Sequence, residues 1–540
     1  MISSVAPLLL AGALGWTPAD GASPPRPRLV VVMVVDQRRA DYLDRFRGFL
    51  GHGLDRLRRD GRRYAAARHL HAVTSTGPGH ATLSTGSHPA RHGVVANMIP
   101  DDDAPGTFKR VSEDASVRNL GRDASGQSSR DLLVDALGDW MHAADPRSKV
   151  VTLAYKARAA TMLGGRAPDA CVWVDTTTCA FTSSTHYAAT LPDWVAAYER
   201  EHPVRSYLGR VWEASLTESE FEEAGATGDA MRYEGRGGFD EGVEATFPHV
   251  IDEEADVVFT PFSDERVAGL AARALDALDL GRDDAPDLLG VSFSSADYVG
   301  HAYGMESREL VDYYARLDRA IADLMSAAER AAGPGRVLFV LSADHGIGPI
   351  VESLLSRGID AGRVRTKVVL DTIDAALDLR FGEADWTLMT LPDVYLSREA
   401  IAARGVDPAN VRAAAARAAV SVRGITAAYP RERLLAGDES IPASFRFSFH
   451  PRRSGDVMLR FAPHHHLDYL DVAPYVKANH ATQYDYDQRI PVVFLGAGVE
   501  GGTLADPFPS IDVAPTIAAA IGVPVPAGVA GRARALGRER

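Results

Sequence analysis

The chain is poor in lysine, has two cysteines, carries no surplus of positive charge and, beyond its first residues, contains no long apolar run. Only positions 109, 149, 156, 367 and 477 are lysine among 58 Lys and Arg residues, and 72 Asp and Glu residues set the net charge at -14. That balance argues against a nucleic-acid-binding surface, which gathers cations to neutralise phosphates. A small anionic substrate remains compatible with it, provided metals and a few cations sit inside a cleft. No internal run approaches the ~20 apolar residues needed to cross a bilayer, so no transmembrane anchor is expected. Cys171 and Cys179 flank a strand-like stretch without any catalytic motif; a hairpin disulfide and two unpaired thiols both stay open.

What is present points to a large folded enzyme. The 540 residues are 46% apolar, ample for a sizeable core. Residues 1–22 contain the apolar stretch Val5–Trp16 and read as a secretory signal, which predicts a periplasmic or secreted protein beginning near residue 23. Short Val-rich runs at Leu29–Val35, Val150–Leu153, Leu288–Phe293, Val337–Leu341 and Pro491–Leu495 do not alternate, as expected of parallel strands buried on both faces. Leu132, Leu133, Ala136, Leu137, Trp140 and Met141 are spaced as one helical face that Ser128 or Ser129 could cap. Alternating strands and helices predict an α/β fold with a mostly parallel sheet, and ligands bind beyond the carboxyl ends of such strands. We expect a core over 23–365 with an insertion near 215–250, a small α+β cap over 366–436, and the rest of the core over 437–540. Pro100–Gln127 and His464-His465-His466 read as surface loops, and Thr217–Phe247 as an insertion beside the cleft.

Potential metal ligands collect at the ends of these strands. Asp36 follows the first run, Asp297 and His301 follow Leu288–Phe293, Asp344 and His345 follow Val337–Leu341, and His480 precedes Pro491–Leu495. Asp-x-x-x-His on a helix places both side chains on one face, within reach of one ion. Adjacent residues such as Asp344 and His345 can share a site only where the strand has ended, which Gly346 and Gly348 allow. Thr76, in Ser75-Thr76-Gly77-Pro78-Gly79-His80, stands where a helix would begin, with free N–H groups suited to a phosphate or sulfate. Six Asp and His ligands plus a hydroxyl suffice for two divalent metals and a nucleophile.

These residues, with Ser84-Thr85-Gly86, His92-Gly93, Asn97, Ala343 before Asp344, Asn479 before His480, and Ser510–Ile517, resemble the alkaline phosphatase superfamily in order and spacing. Within it the sequence is similar to the monomeric, exported phosphate-irrepressible alkaline phosphatases, which share a core with nucleotide pyrophosphatases and phosphodiesterases. The resemblance implies a Thr76 nucleophile and two zinc ions. One would be held by Asp297, His301 and His480, the other by Asp36, Asp344, His345 and the Thr76 oxygen. Asn97, 21 residues after Thr76, would bind a phosphoryl oxygen, as would Lys156 and Arg158, expected to face the same way on an extended segment. It further implies small phosphate monoesters as substrates, a phosphothreonine intermediate and a monomer. Thr76 and His80 stand where sulfatases carry a Cys or Ser and an Arg, which argues against sulfatase chemistry. A phosphodiesterase or nucleotide pyrophosphatase is the alternative activity, and a metal-dependent binding protein without turnover is the alternative from another class.

Overall fold

The computed structural model describes residues 26–229, 231, 233–236, 245–390, 392–468 and 473–537. The signal-like segment lies outside them, as do residues 237–244 of the insertion. A nine-stranded sheet forms the centre. In chain order its strands are β1 (Leu29–Val35), β2 (Arg62–Arg68), β3 (Val150–Ala154), β4 (Ala170–Val174), β5 (Phe181–Thr182), β6 (Asp287–Phe293), β7 (Val337–Ser342), β8 (Val493–Gly496) and β9 (Gly502–Pro509). They lie side by side as β9-β2-β8-β7-β1-β6-β3-β4-β5.

β1 shows why the Val-rich runs lack alternation. Leu29, Val31, Met33 and Val35 enter one apolar core, while Val30, Val32 and Val34 enter the other, so both faces are covered. Helices Pro261–Ala277 and Arg308–Ala332 close the first core; helices Leu137–Ala144 and Val513–Ile521 close the second. β6, β1 and β7 are parallel neighbours in level register, with Val35 opposite Phe293 and Val34 opposite Ser342. Their carboxyl ends therefore open onto one place.

Several expectations are corrected. The run near Pro491 forms β8, but it is antiparallel to both β7 and β2. The physical consequence is favourable: an antiparallel strand is entered from the end where β7 leaves, so His480, just before it, reaches the same place. The helix expected from Leu132 begins at Leu137, because Asp139 accepts a hydrogen bond from the Ala136 N–H (2.7 Å) and fixes the start there. Ser128 does not cap it and donates instead to Asp114. Pro100–Gln127 is not one loop but carries two small antiparallel hairpins. His465 and His466 are buried in a strand, His465–Asp468, paired with Gly362–Arg365. Cys171 and Cys179 are buried and unpaired.

Residues of the expected cap form helices Thr366–Phe381 and Pro408–Ala419 over a four-stranded sheet. Asp407 caps the second helix through the Ala409 N–H, as Asp-Pro suggests. Val457–Phe461, beyond residue 436, lies inside that sheet between Val394–Leu396 and Ile425–Pro430. No helix among the described residues is long and apolar enough to cross a membrane.

Candidate metal centre and nucleophile

Two groups of three buried ligands meet at the carboxyl ends of β6, β1 and β7. Asp297, His301 and His480 form one; Asp36, Asp344 and His345 form the other; within each group the ligand atoms lie within 4.8 Å of one another. Asp297 and His301 lie one turn apart on helix Ser295–Tyr303, with His301 Nε2 3.1 Å from Asp297 Oδ1. His480 Nε2 stands 3.7 Å from the same oxygen. In the second group His345 Nε2 is 3.4 Å from Asp36 Oδ1 and 3.5 Å from Asp344 Oδ2. The groups abut, since the rings of His345 and His480 stack with centroids 3.7 Å apart.

The donor atoms are prepared for cations. Nδ1–H of His301 donates to the Ala478 carbonyl (2.7 Å), that of His480 to Thr74 (2.7 Å) and that of His345 to Gly346 (3.0 Å). Each such bond fixes the tautomer that offers Nε2 as a ligand. Asp36 Oδ1, Asp344 Oδ2 and His345 Nε2 are buried without a hydrogen-bond partner. Mixed carboxylate and imidazole donors of this kind fit zinc.

The electrostatics agree. Burial, reinforced by Asp36, pushes the Asp344 carboxyl well above the usual carboxylate range. Burial opposes ionisation of Asp297 too, but His301 and Lys156 outweigh it and hold that carboxyl well below the range. Burial also keeps the imidazoles of His345 and His480 below their ordinary value, in the neutral form that binds metal.

Thr76 opens helix Thr76–Thr85, with Ser75 in extended backbone before it. Gly79 makes the closeness possible, since a Cβ there would lie 2.2 Å from the Asp344 carbonyl oxygen. Arg158 Nη2 donates to Thr76 Oγ1 (3.4 Å), and Asn97 Oδ1 accepts from the Gly77 N–H (2.8 Å), which leaves the Asn97 NH2 to donate to a ligand. Lys156 and Arg158 do not share one extended segment: Lys156 is the N-cap of helix Ala157–Gly164 and Arg158 lies in its first turn. Both still reach the centre. Lys156 Nζ donates to Asp36 Oδ2 (2.6 Å) and to Asp297 Oδ2, one carboxylate from each group. Burial works against its charge, yet those two carboxylates hold its pKa above the ordinary lysine value.

Three further residues shape the centre without having been assigned roles from sequence. Gln37, at φ 63°, donates its backbone N–H to Asp344 Oδ1 (3.1 Å) and its side-chain Nε2–H to Asp297 Oδ1 (2.7 Å), tying the groups together. Gly300 makes room for it, because a Cβ there would fall 1.8 Å from Gln37 Oε1. A glycine inside a ligand-bearing helix was the available signal. His80 donates from Nδ1 to the Thr76 carbonyl (2.9 Å) and sits 3.4 Å from Asp344 Oδ2. Asp264 accepts from the N–H groups of Ser294 and Ser295 and anchors the start of the Asp297 helix.

The model of the family described as type I phosphodiesterase / nucleotide pyrophosphatase matches residues 30–471. The chain belongs to this family, within the alkaline phosphatase superfamily. It is 31% identical to alkaline phosphatase PhoV of Synechococcus elongatus, over 94% of this chain and 92% of that protein. It is 29% identical to alkaline phosphatase PafA of Elizabethkingia meningoseptica, over 97% and 96%. The crystal structure of wild-type PafA matches with a TM-score of 0.87 at 28% identity, covering 96% of this chain and 100% of that one. The similarity thus spans the core, the cap and both ligand groups.

Proposed function

We infer that the chain is a metal-dependent alkaline phosphatase, an exported phosphoric monoester hydrolase that acts as a monomer with two zinc ions. Asp297, His301 and His480 would hold one ion, and Asp36, Asp344, His345 and the Thr76 oxygen the other. Bound zinc supplies Lewis-acid charge near the entering and departing oxygens.

The chain's own residues do the rest. Thr76 loses its proton to water and attacks phosphorus in line; the bond to the ester oxygen breaks and the alcohol leaves, taking up a proton. Water then attacks the phosphothreonine, phosphate departs and the Thr76 hydroxyl is restored. Asn97 and Arg158 orient the phosphoryl group beside the N-terminus of helix Thr76–Thr85, and Lys156 adds a fixed charge, so that much of the rate comes from electrostatic positioning.

The observation that carries the monoester reading is the convergence of two cations, Lys156 and Arg158, on the nucleophile and its flanking carboxylates. A monoester dianion leaves charged oxygens for them to grip, whereas a diester presents an alkylated oxygen there. A phosphodiesterase is the second reading, favoured by the description of the matching family. Lys156→Ala and Arg158→Ala should each lower kcat/KM for p-nitrophenyl phosphate about 10²-fold or more, and for its bis ester far less. Equal losses on the two substrates would sink the monoesterase assignment. Metal analysis of the purified protein, with two zinc ions expected per chain, tests the cofactor.

A further inference from the structure

A cleft of about 230 Å³ opens beside the ligand group that faces outward. His301 and His480 form part of its wall, with Asn97, Asn479 and Ser75. Its remaining lining is apolar: Val73, Ala96, Met98 and Val476, with Pro392 contributed by the turn between cap strands Thr387–Thr390 and Val394–Leu396. Among the described residues no carboxylate, lysine or arginine lines it. Asn479 is already committed, accepting from the His480 N–H and donating to the Leu467 carbonyl.

In-line attack by Thr76 sends the alcohol away from the nucleophile, toward Asp297, His301 and His480, whose two histidines border this cleft. The space accommodates a phosphoryl group and about one ring. Contact with such walls favours uncharged apolar surface, while a second anionic group, carried on the alcohol, would be desolvated with no Lys or Arg among the described lining residues to pair with it.

We propose that this cleft is the subsite for the alcohol half of the monoester and that it selects uncharged, ring-sized apolar alcohols over anionic ones, with Met98 and the cap residue Pro392 as selecting residues. The proposal rests on the monoesterase reading and adds to it the class of alcohol. Through Pro392 the cap is part of substrate choice, while the ions and Thr76 belong wholly to the core.

The test uses the full-length zinc-loaded protein and three alcohols: benzyl, 4-carboxybenzyl and glycerol. The first two share a ring and a similar leaving-group reactivity and differ in the distal charge. Wild type should turn over benzyl phosphate with a kcat/KM about tenfold above the other two. Calorimetry should find benzylphosphonate bound about tenfold tighter than its 4-carboxy analogue. Met98→Ser and Pro392→Ser should each shrink the preference severalfold, Met98→Leu should keep it, and Met98→Lys should reverse the charge bias. Indifference of the wild type to the three alcohols, in rates and in phosphonate binding, overturns the proposal, as does a preference unmoved in both serine variants. A benzylphosphonate preference that persists without monoester turnover would retain the subsite and discard the monoesterase reading instead.

Discussion

The two ligand groups are built from the same residue types but stand in different surroundings. Asp36, Asp344 and His345 are 0% exposed, whereas Asp297, His301 and His480 are 5%, 8% and 8% exposed, and the two histidines of that group border the cleft. The buried group leaves three donor atoms without partners and has only Lys156, on Asp36, as a cation, while Asp297 in the outer group is surrounded by His301, His480, Gln37 and that same lysine. Like charges confined out of water cannot all ionise without a cation between them, so the inner group depends on its ion more than the outer one does. On the proposed mechanism the inner position would be a fixed partner of Thr76, and the outer one would be where substrate and solvent exchange.

The largest expected effect tests that contrast directly. Asp344→Ala should lower kcat about 10³-fold, and added zinc should not restore it. His480→Ala should also lose activity and zinc on dialysis, but recover much of both when zinc is supplied in excess. Zinc content by mass spectrometry, read beside kcat, decides the matter, and equal recovery in the two variants would erase the distinction. A middle-sized effect is expected at Gln37, the link between the groups. Gln37→Gly keeps the left-handed backbone while deleting the amide, and should weaken zinc affinity about 10- to 100-fold. That loss should fall mainly on the outer group, whose Asp297 it orients, since the backbone N–H to Asp344 is retained; an equal loss in both would mean that the amide holds the two groups as one unit.

The smallest effect concerns what lies behind the inner group. His69 donates to the carbonyl of Ala343, next to Asp344, and its ring lies against His71 with centroids 4.7 Å apart. Burial lowers the imidazole pKa of His69 to about 3 and holds His71 well below its ordinary value. The unfolded chain takes up these protons near pH 6.5 and the folded chain does not, so stability is present above that pH and declines as pH falls toward the folded values. His71 has no hydrogen-bond partner at either nitrogen, so His71→Phe should make the acid loss of stability shallower by up to about one proton, measured as denaturation midpoint against pH. An unchanged slope would show that this histidine is already protonated in the folded state.

The strands that carry ligands were readable because burial on both faces leaves an unbroken Val-rich run, and a ligand immediately after such a run has few places to go. Residues 29–35 were recovered to the residue. β8 was found but given the wrong direction, because a run buried on both faces looks the same in either sense and only its pairing with β7 distinguishes them. Gln37 belongs to the Val35-Asp36-Gln37 motif of the resemblance, but its role was not legible, for a related reason. Its value lies in a positive φ and in two partners hundreds of residues away, neither of which leaves a local pattern. The extent of the cap sheet was hidden similarly: Val457–Phe461 is an ordinary strand until it is seen between two strands from the expected cap.

The late place of β8 in the chain also sets an order of events during synthesis. Asp36, Asp344 and His345 exist once about two thirds of the chain has been made, but the outer group waits for His480, which shortly precedes the strand that joins β2 to β7. Pairings that span most of the chain are the slowest to form, because they close the largest loops. On the proposed mechanism an unfinished chain would therefore hold the inner ligand group and Thr76 and still lack the group expected to assist departure of the alcohol. On the two-ion reading, occupancy of the second position would be a chemical record that the whole topology has closed.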